Sequence, residues 1–157
     1  MEKHEEAIGK SKKKFQLADH MLNVTYPLIQ DTKLLLPIIE NIFLSMANAM
    51  VAVLYLDRKY KKVPPFIDTF EAKFNVFKEY CANRHGVDKS YIADMHEIKT
   101  IIMERKKSPL EFVRKDRFVI CNENYKLRTL SIADIRSYLS KAKLFIEGMD
   151  NIIKNKK

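Results

Sequence analysis

The sequence predicts an all-α fold, an antiparallel bundle of four or five helices with a β-hairpin inserted before the last. Three features carry that expectation. Apolar residues recur at steps of three and four along most of the 157 residues. Only three Gly and five Pro punctuate them. One late stretch switches to two short β-prone runs, Phe118–Cys121 and Tyr125–Leu130, around Asn122, Glu123 and Asn124. A chain of this length suits one domain, 1–157, with the basic loop and hairpin insertion at about 107–130.

The first helix is expected from about Glu2 to Tyr26, carrying Ile8, Phe15, Ala18, Leu22 and Tyr26 inward and ending at Pro27. Asp31 or Thr32 can cap the second helix, whose opening turns tolerate Pro37. There Ile39, Ile42, Met46, Ala49, Val53, Leu56 and Tyr60 repeat at alternating steps of three and four, the strongest periodic signal in the chain. A second row of Leu36, Phe43, Ala47, Met50 and Leu54 predicts that this helix is covered on two sides. Arg58, Lys59, Lys61 and Lys62 suit the negative end of its dipole, and Pro64-Pro65 break it.

A third helix sets Phe66, Phe70, Phe74, Phe77 and Cys81 on one face, read as a packed seam rather than a ligand box. Gly86 fits a left-handed helix end, Val87 the contact after it and Asp88 the next cap, so the third and fourth helices should be antiparallel neighbours. Tyr91, Met95, Ile98 and Ile102 form the apolar face of the fourth helix. Ser131 and Asp134 form a capping box for the fifth, which continues through Leu139, Ala142, Phe145, Met149 and Ile152. In the hairpin an even-numbered turn would set Ile120 opposite Leu127, leaving Lys126 and Arg128 on the other, basic face.

The run Leu34–Leu56 is long enough to span a bilayer, but Glu40, Asn41, Ser45, Asn48 and Pro37 raise its insertion cost. The amphipathic helices around it also need a shared apolar partner, so a membrane span is not expected. Cys81 and Cys121 lack CxxC spacing and sit in apolar runs, as reduced cytoplasmic thiols would. The N-terminal MEKHEEAIGKSKKK has neither the apolar core of a secretory signal nor the Arg-rich, acid-poor make-up of a transit peptide, and the expected location is the cytoplasm.

A net charge of +9 points to RNA or another polyanion as partner. The stretch from Arg105 to Arg128 holds eight Lys/Arg against three acids, five of those nine charges. Within it Arg114, Lys115, Arg117, Lys126 and Arg128 are candidate phosphate contacts, and Phe112, Phe118 or Tyr125 a stacking surface. Asn48, one helical turn after Ser45 in the most apolar helix, is a candidate for fixing register or a homodimer, or else faces a wet groove. The four histidines complete no HExxH or Glu-x-x-His ligand set, His96 reads as a surface residue, and no Walker or GxGxxG loop occurs. No cofactor, metal or catalytic residue is therefore assigned.

This layout, a helical bundle with a hairpin before its last helix, resembles the higher eukaryote and prokaryote nucleotide-binding (HEPN) superfamily. The stretch SPLEFVRKDRFVIC also resembles archaeal proteins. The HEPN resemblance implies a small helical domain that often dimerises and that in several members cleaves RNA or partners a nucleotidyltransferase. HEPN ribonucleases carry Arg followed four to six residues later by His, and neither Arg114 nor Arg117 has any His after it. The expected function is a non-enzymatic nucleic-acid or nucleotide-binding module using the basic hairpin. The alternatives are a homodimeric protein-interaction module and a degenerate nuclease.

Overall fold

The computed structural model describes residues 1–107, 111–114, 117–121 and 126–155. Five helical rods and a three-stranded sheet account for most of them. The predicted all-α bundle with a hairpin before its last helix is the fold observed.

The first rod joins α1 (Lys3–His20), a π-helical turn (Met21–Thr25) and α2 (Tyr26–Ile29). Its end differs from expectation. Pro27 lies in the first turn of α2 instead of stopping the helix, because the preceding π turn changes the hydrogen-bond register before the proline's missing N–H is needed. The stop falls at Gln30, in the left-handed region with φ 54°. Asp31 then accepts from Lys33 N at 2.9 Å and caps a short 3₁₀ turn.

That turn opens α3 (Leu35–Lys59), the central helix. Both predicted rows turn inward. Ile39, Ile42, Met46, Ala49, Val53 and Leu56 are buried, as are Ala47, Met50 and Leu54, while Tyr60 stays outside at 43% exposure. By length and composition α3 could cross a membrane, and in this fold its apolar surface is covered by α1 and the helices that follow. Small residues let α1 approach closely. Ser11, fully buried, donates from Oγ to the Ser45 carbonyl at 2.6 Å, and buried Ser45 donates to the Ile42 carbonyl at 2.6 Å. Ser45 is thus the buried polar residue in the middle of α3, with buried Asp57 in its last turn. Asn48, one turn on, is half-exposed and donates to the Leu44 carbonyl at 2.8 Å.

The third rod runs through α4 (Phe70–Val76), a second π turn (Phe77–Cys81) and α5 (Ala82–His85). It starts later than the aromatic ladder suggests, since Thr69 supplies the cap by accepting from Ala72 N at 3.2 Å. Phe66 therefore precedes the helix. Phe70 stacks on Phe74 at 5.3 Å and tilts against Phe43 at 5.1 Å, while buried Phe77 meets buried Phe145 edge-on at 6.4 Å. The seam is packed core, and each such ring pair adds about 1 kcal/mol to its burial.

Gly86 adopts φ 66°, and Val87 N reaches the Ala82 carbonyl at 2.8 Å, closing the predicted left-handed helix end. Asp88 accepts from Ser90 N at 2.8 Å before α6 (Lys89–Lys107). The box before α7 (Ile132–Asn155) is reciprocal: Ser131 N to Asp134 Oδ2 at 2.9 Å, Asp134 N to Ser131 Oγ at 3.1 Å.

Between α6 and α7 lie β1 (Glu111–Arg114), β2 (Arg117–Cys121) and β3 (Leu127–Ser131), antiparallel in that order. The hairpin is β2–β3, and β1 adds a strand that the sequence reading did not separate. The pairing corrects the expected register. Cys121 opposes Leu127 and Ile120 opposes Arg128. Five residues, an odd number, separate Cys121 from Leu127, and a one-residue slip turns each side chain to the other face. Ile120, Arg128 and Leu130 therefore share one face, with Ile120 and Leu130 buried, while Leu127 is 63% exposed.

Candidate nucleic-acid interface

The hairpin residues divide sharply. Lys126 is exposed. Arg128 turns toward α6, where its Nε donates to Glu104 Oε1 at 3.0 Å, its Nη2 lies 3.0 Å from the same oxygen, and its Nη1 lies 3.9 Å from Glu97. Its charge braces the sheet against the bundle. Phe112, Arg114 and Arg117 are described only through their strand backbones, and Lys115 and Tyr125 lie outside the described residues.

A second basic surface, read from the sequence only as helix-end chemistry, surrounds the C-terminus of α3. Its centre is Arg58. The guanidinium carbon sits 4.6 Å from the ring centre of Tyr55 and 5.1 Å from that of Phe66. Lys3 and Lys73 approach the same Tyr55 ring at 5.8 and 5.3 Å, and Lys59 lies over Tyr60 at 5.7 Å. Contacts of this kind hold a cation without neutralising it. Lys61, in the left-handed region with φ 57°, and Lys62 extend the patch through the turn after the helix.

The cations of this patch fall into two groups. Lys59 pairs with Glu2 at 2.7 Å, and Lys73 pairs with Asp68 at 2.5 Å while donating to Tyr55 Oη at 3.0 Å. Hydrogen bonding to Lys73, above all, holds the Asp68 carboxyl below its usual range, with nearby Lys3 and Arg58 adding to the effect. Lys3, Arg58, Lys61 and Lys62 are exposed and form no ion pair with a carboxylate among the described residues. Four cations without a direct ion pair, with Asp68 as the acid near Lys3 and Arg58, leave this surface net positive and suited to an anion.

Beneath it lies a buried support. Asp57 is completely buried one residue before Arg58, and its carboxylate gathers three side chains of the third rod. Arg84 Nη2 makes a short charge-assisted bond to Oδ2, while His85 Nε2 donates at 3.1 and 3.0 Å to the two oxygens. The buried Cys81 thiol faces the same carboxylate. Burial works to raise the Asp57 carboxyl, but interactions with Cys81, Arg84 and His85 prevail and hold it below the usual carboxylate range. Burial, with the Asp57 charge beside it, pushes the Cys81 thiol well above its ordinary value, which leaves it protonated and unreactive.

The π turn at Phe77–Cys81 belongs to this arrangement, since it immediately precedes the residues that reach Asp57. Arg84 also donates from Nη1 to the Lys62 carbonyl at 3.2 Å, and Lys62 N donates to the Asp57 carbonyl at 2.8 Å. The Lys61–Lys62 turn is therefore tied to Asp57 twice, through Arg84 to its carboxylate and directly to its backbone carbonyl. Asp57, Arg84 and His85 escaped the sequence reading. Two signals pointed to them: an acid in the last turn of a helix, against the dipole, and Cys81 and His85 one helical turn apart.

Other groupings carry less chemistry. Glu2, His4 and Glu5 bring three ligand atoms within 4.8 Å of one another, but the Lys59 ammonium already occupies Glu2 and would oppose a cation. His96 is exposed. A shallow trough between α1 and α7, around Phe15 and Lys143, mixes charges that offset each other, including the Lys12–Asp150 pair at 3.0 Å. No protein-family model, no curated protein and no solved structure matches this chain.

Proposed function

We propose that this bundle is a non-enzymatic nucleic-acid-binding module, consistent with its HEPN-like layout, and that it engages phosphates through the surface at the C-terminal end of α3. The observation that carries the reading is the Arg58 guanidinium clasped by Tyr55 and Phe66, with unpaired Lys3, Lys61 and Lys62 around it. An arginine packed on rings has lost much of its side-chain freedom before it meets a ligand, so it loses less on binding. The Asp–His–Cys grouping that could suggest catalysis is instead a sealed support, its thiol protonated and its imidazole bonded to the carboxylate.

Four phosphate contacts give a defined salt response. The logarithm of affinity for duplex DNA should fall with the logarithm of salt at a slope of roughly −3 to −4, since each contact contributes about −0.9. Without other contributions the dissociation constant is on the order of 1 µM at about 20 mM salt and roughly 0.2 mM at about 0.1 M. Fluorescence anisotropy with a labelled 20-mer duplex measures both values. No binding at about 20 mM salt, or a slope near zero, would remove the proposal.

A second reading, a protein-interaction module that includes the homodimer, is favoured by a different observation. Leu17, Val24, Leu28 and Ile29 leave large apolar side chains exposed along the first rod, Leu28 at 81%. Sedimentation equilibrium at about 100 µM protein should then show a dimer that Leu28→Lys weakens and salt does not. A monomer at that concentration rejects the homodimer.

A further inference from the structure

We infer that the α3 surface reads the charge of a phosphodiester backbone and not the bases attached to it, a deepening that rests on the nucleic-acid reading above. The argument turns on what already occupies the rings. A protein that binds single strands through stacking leaves aromatic faces open, because each base needs one. Here the faces are taken by the protein's own cations. Tyr55 has Lys3, Arg58 and Lys73 within 5.8 Å of its ring centre, and Phe66 has Arg58 at 5.1 Å while also packing against the core.

Tyr60, beside the four proposed contacts and not holding any of them, is 43% exposed, and the Lys59 over it is already paired with Glu2. A base arriving at Tyr55 would have to displace charged groups that favour the phosphate beside it. Stacking there would lose as much as it gains. Tyr55 and Phe66 act as a mount for cations, of which Lys3 and Arg58 are exposed to solvent while Lys73 is largely covered and paired with Asp68. Their spacing is set by α3, by the Lys61–Lys62 turn and by the buried Asp57–Arg84 support, none of which adapts to base identity.

Charge reading and base stacking predict opposite orders of preference. A duplex has its bases hidden and its phosphates dense, whereas a single strand offers bases and a weaker counterion effect, about 0.7 against 0.9 per contact. At about 20 mM salt, four contacts should make duplex DNA bind roughly 20-fold tighter than a single strand of the same length. Oligo-U, oligo-A and oligo-dT should agree within about threefold, and Tyr60→Ala should leave every affinity within about twofold. The experiment is competition anisotropy of the full chain against this panel of 20-mers. A single strand that binds as tightly as duplex, a tenfold preference among homopolymers, or a tenfold loss in Tyr60→Ala overturns charge reading while leaving nucleic-acid binding in place. Absence of binding to every member at about 20 mM salt overturns the parent reading itself.

Discussion

Asp57→Ala should lower the free energy of unfolding by about 3 kcal/mol at pH 7, seen as a fall in urea midpoint at unchanged slope. The magnitude follows from what is left behind. Removing one partner of a buried charged network costs about 3 to 5 kcal/mol because the remaining groups stay desolvated and unpaired. His85 and Cys81 would be stranded in that way, whereas the Arg84 side chain is 31% exposed and can turn to water, which places the change at the lower end. Asp57→Asn keeps the shape and one acceptor and should cost about 2 kcal/mol, the value of hydrogen bonds to a charged group.

The same carboxylate sets a pH dependence. Its folded value lies below the ordinary 3.8, so its stabilisation is complete above that value and is lost as pH falls through the lower folded value. The acid limb of unfolding in that window should flatten in Asp57→Asn. A midpoint unchanged by Asp57→Ala would show that Arg84 and His85 find other partners.

How much of this molecule was legible in its sequence depended on how local the cause was. The two apolar rows of α3, the left-handed turn at Gly86 and the Ser131–Asp134 box each rest on residues a few positions apart, and each formed as expected. Pro27 misled because its effect depends on hydrogen bonds made by the preceding turn, which a π turn rearranged. The sheet register misled for another reason. A single residue in the loop after Cys121 decides which face Arg128 takes, and composition does not reveal an odd loop. That one step turned Arg128 from an expected outward phosphate contact into a partner of Glu104.

The α3 surface was illegible for the broadest reason. Residues 3, 55, 58, 66 and 73 meet only after three segments have packed, so local pattern showed Arg58 to Lys62 as dipole capping and nothing more. Asp57 was hidden likewise, though an acid in that last turn had a local cost and therefore needed a tertiary explanation.

Arg58→Gln, Lys61→Gln and Lys62→Gln should each weaken duplex binding about 30-fold at about 20 mM salt and reduce the salt slope by about 0.9. Together they should abolish measurable binding. The size follows from counterion release, in which each phosphate contact at that salt contributes more than 2 kcal/mol, above what a neutral surface hydrogen bond supplies. Glutamine removes charge without adding repulsion; at exposed Lys61 and Lys62 the urea midpoint should be kept, while Arg58→Gln loses its two ring contacts and should cost about 1 kcal/mol, too little to unfold the protein. The single losses should add in the logarithm because the three side chains would meet separate phosphates. Salt separates this result from a structural defect. Lost phosphate contacts matter less as salt rises, so wild type and variants must converge toward 1 M, whereas a misfolded surface would stay weaker throughout. Undiminished binding by the triple variant would move the interface away from α3, and parallel loss in Asp57→Asn at retained fold would show that the buried carboxylate positions the turn carrying Lys61 and Lys62.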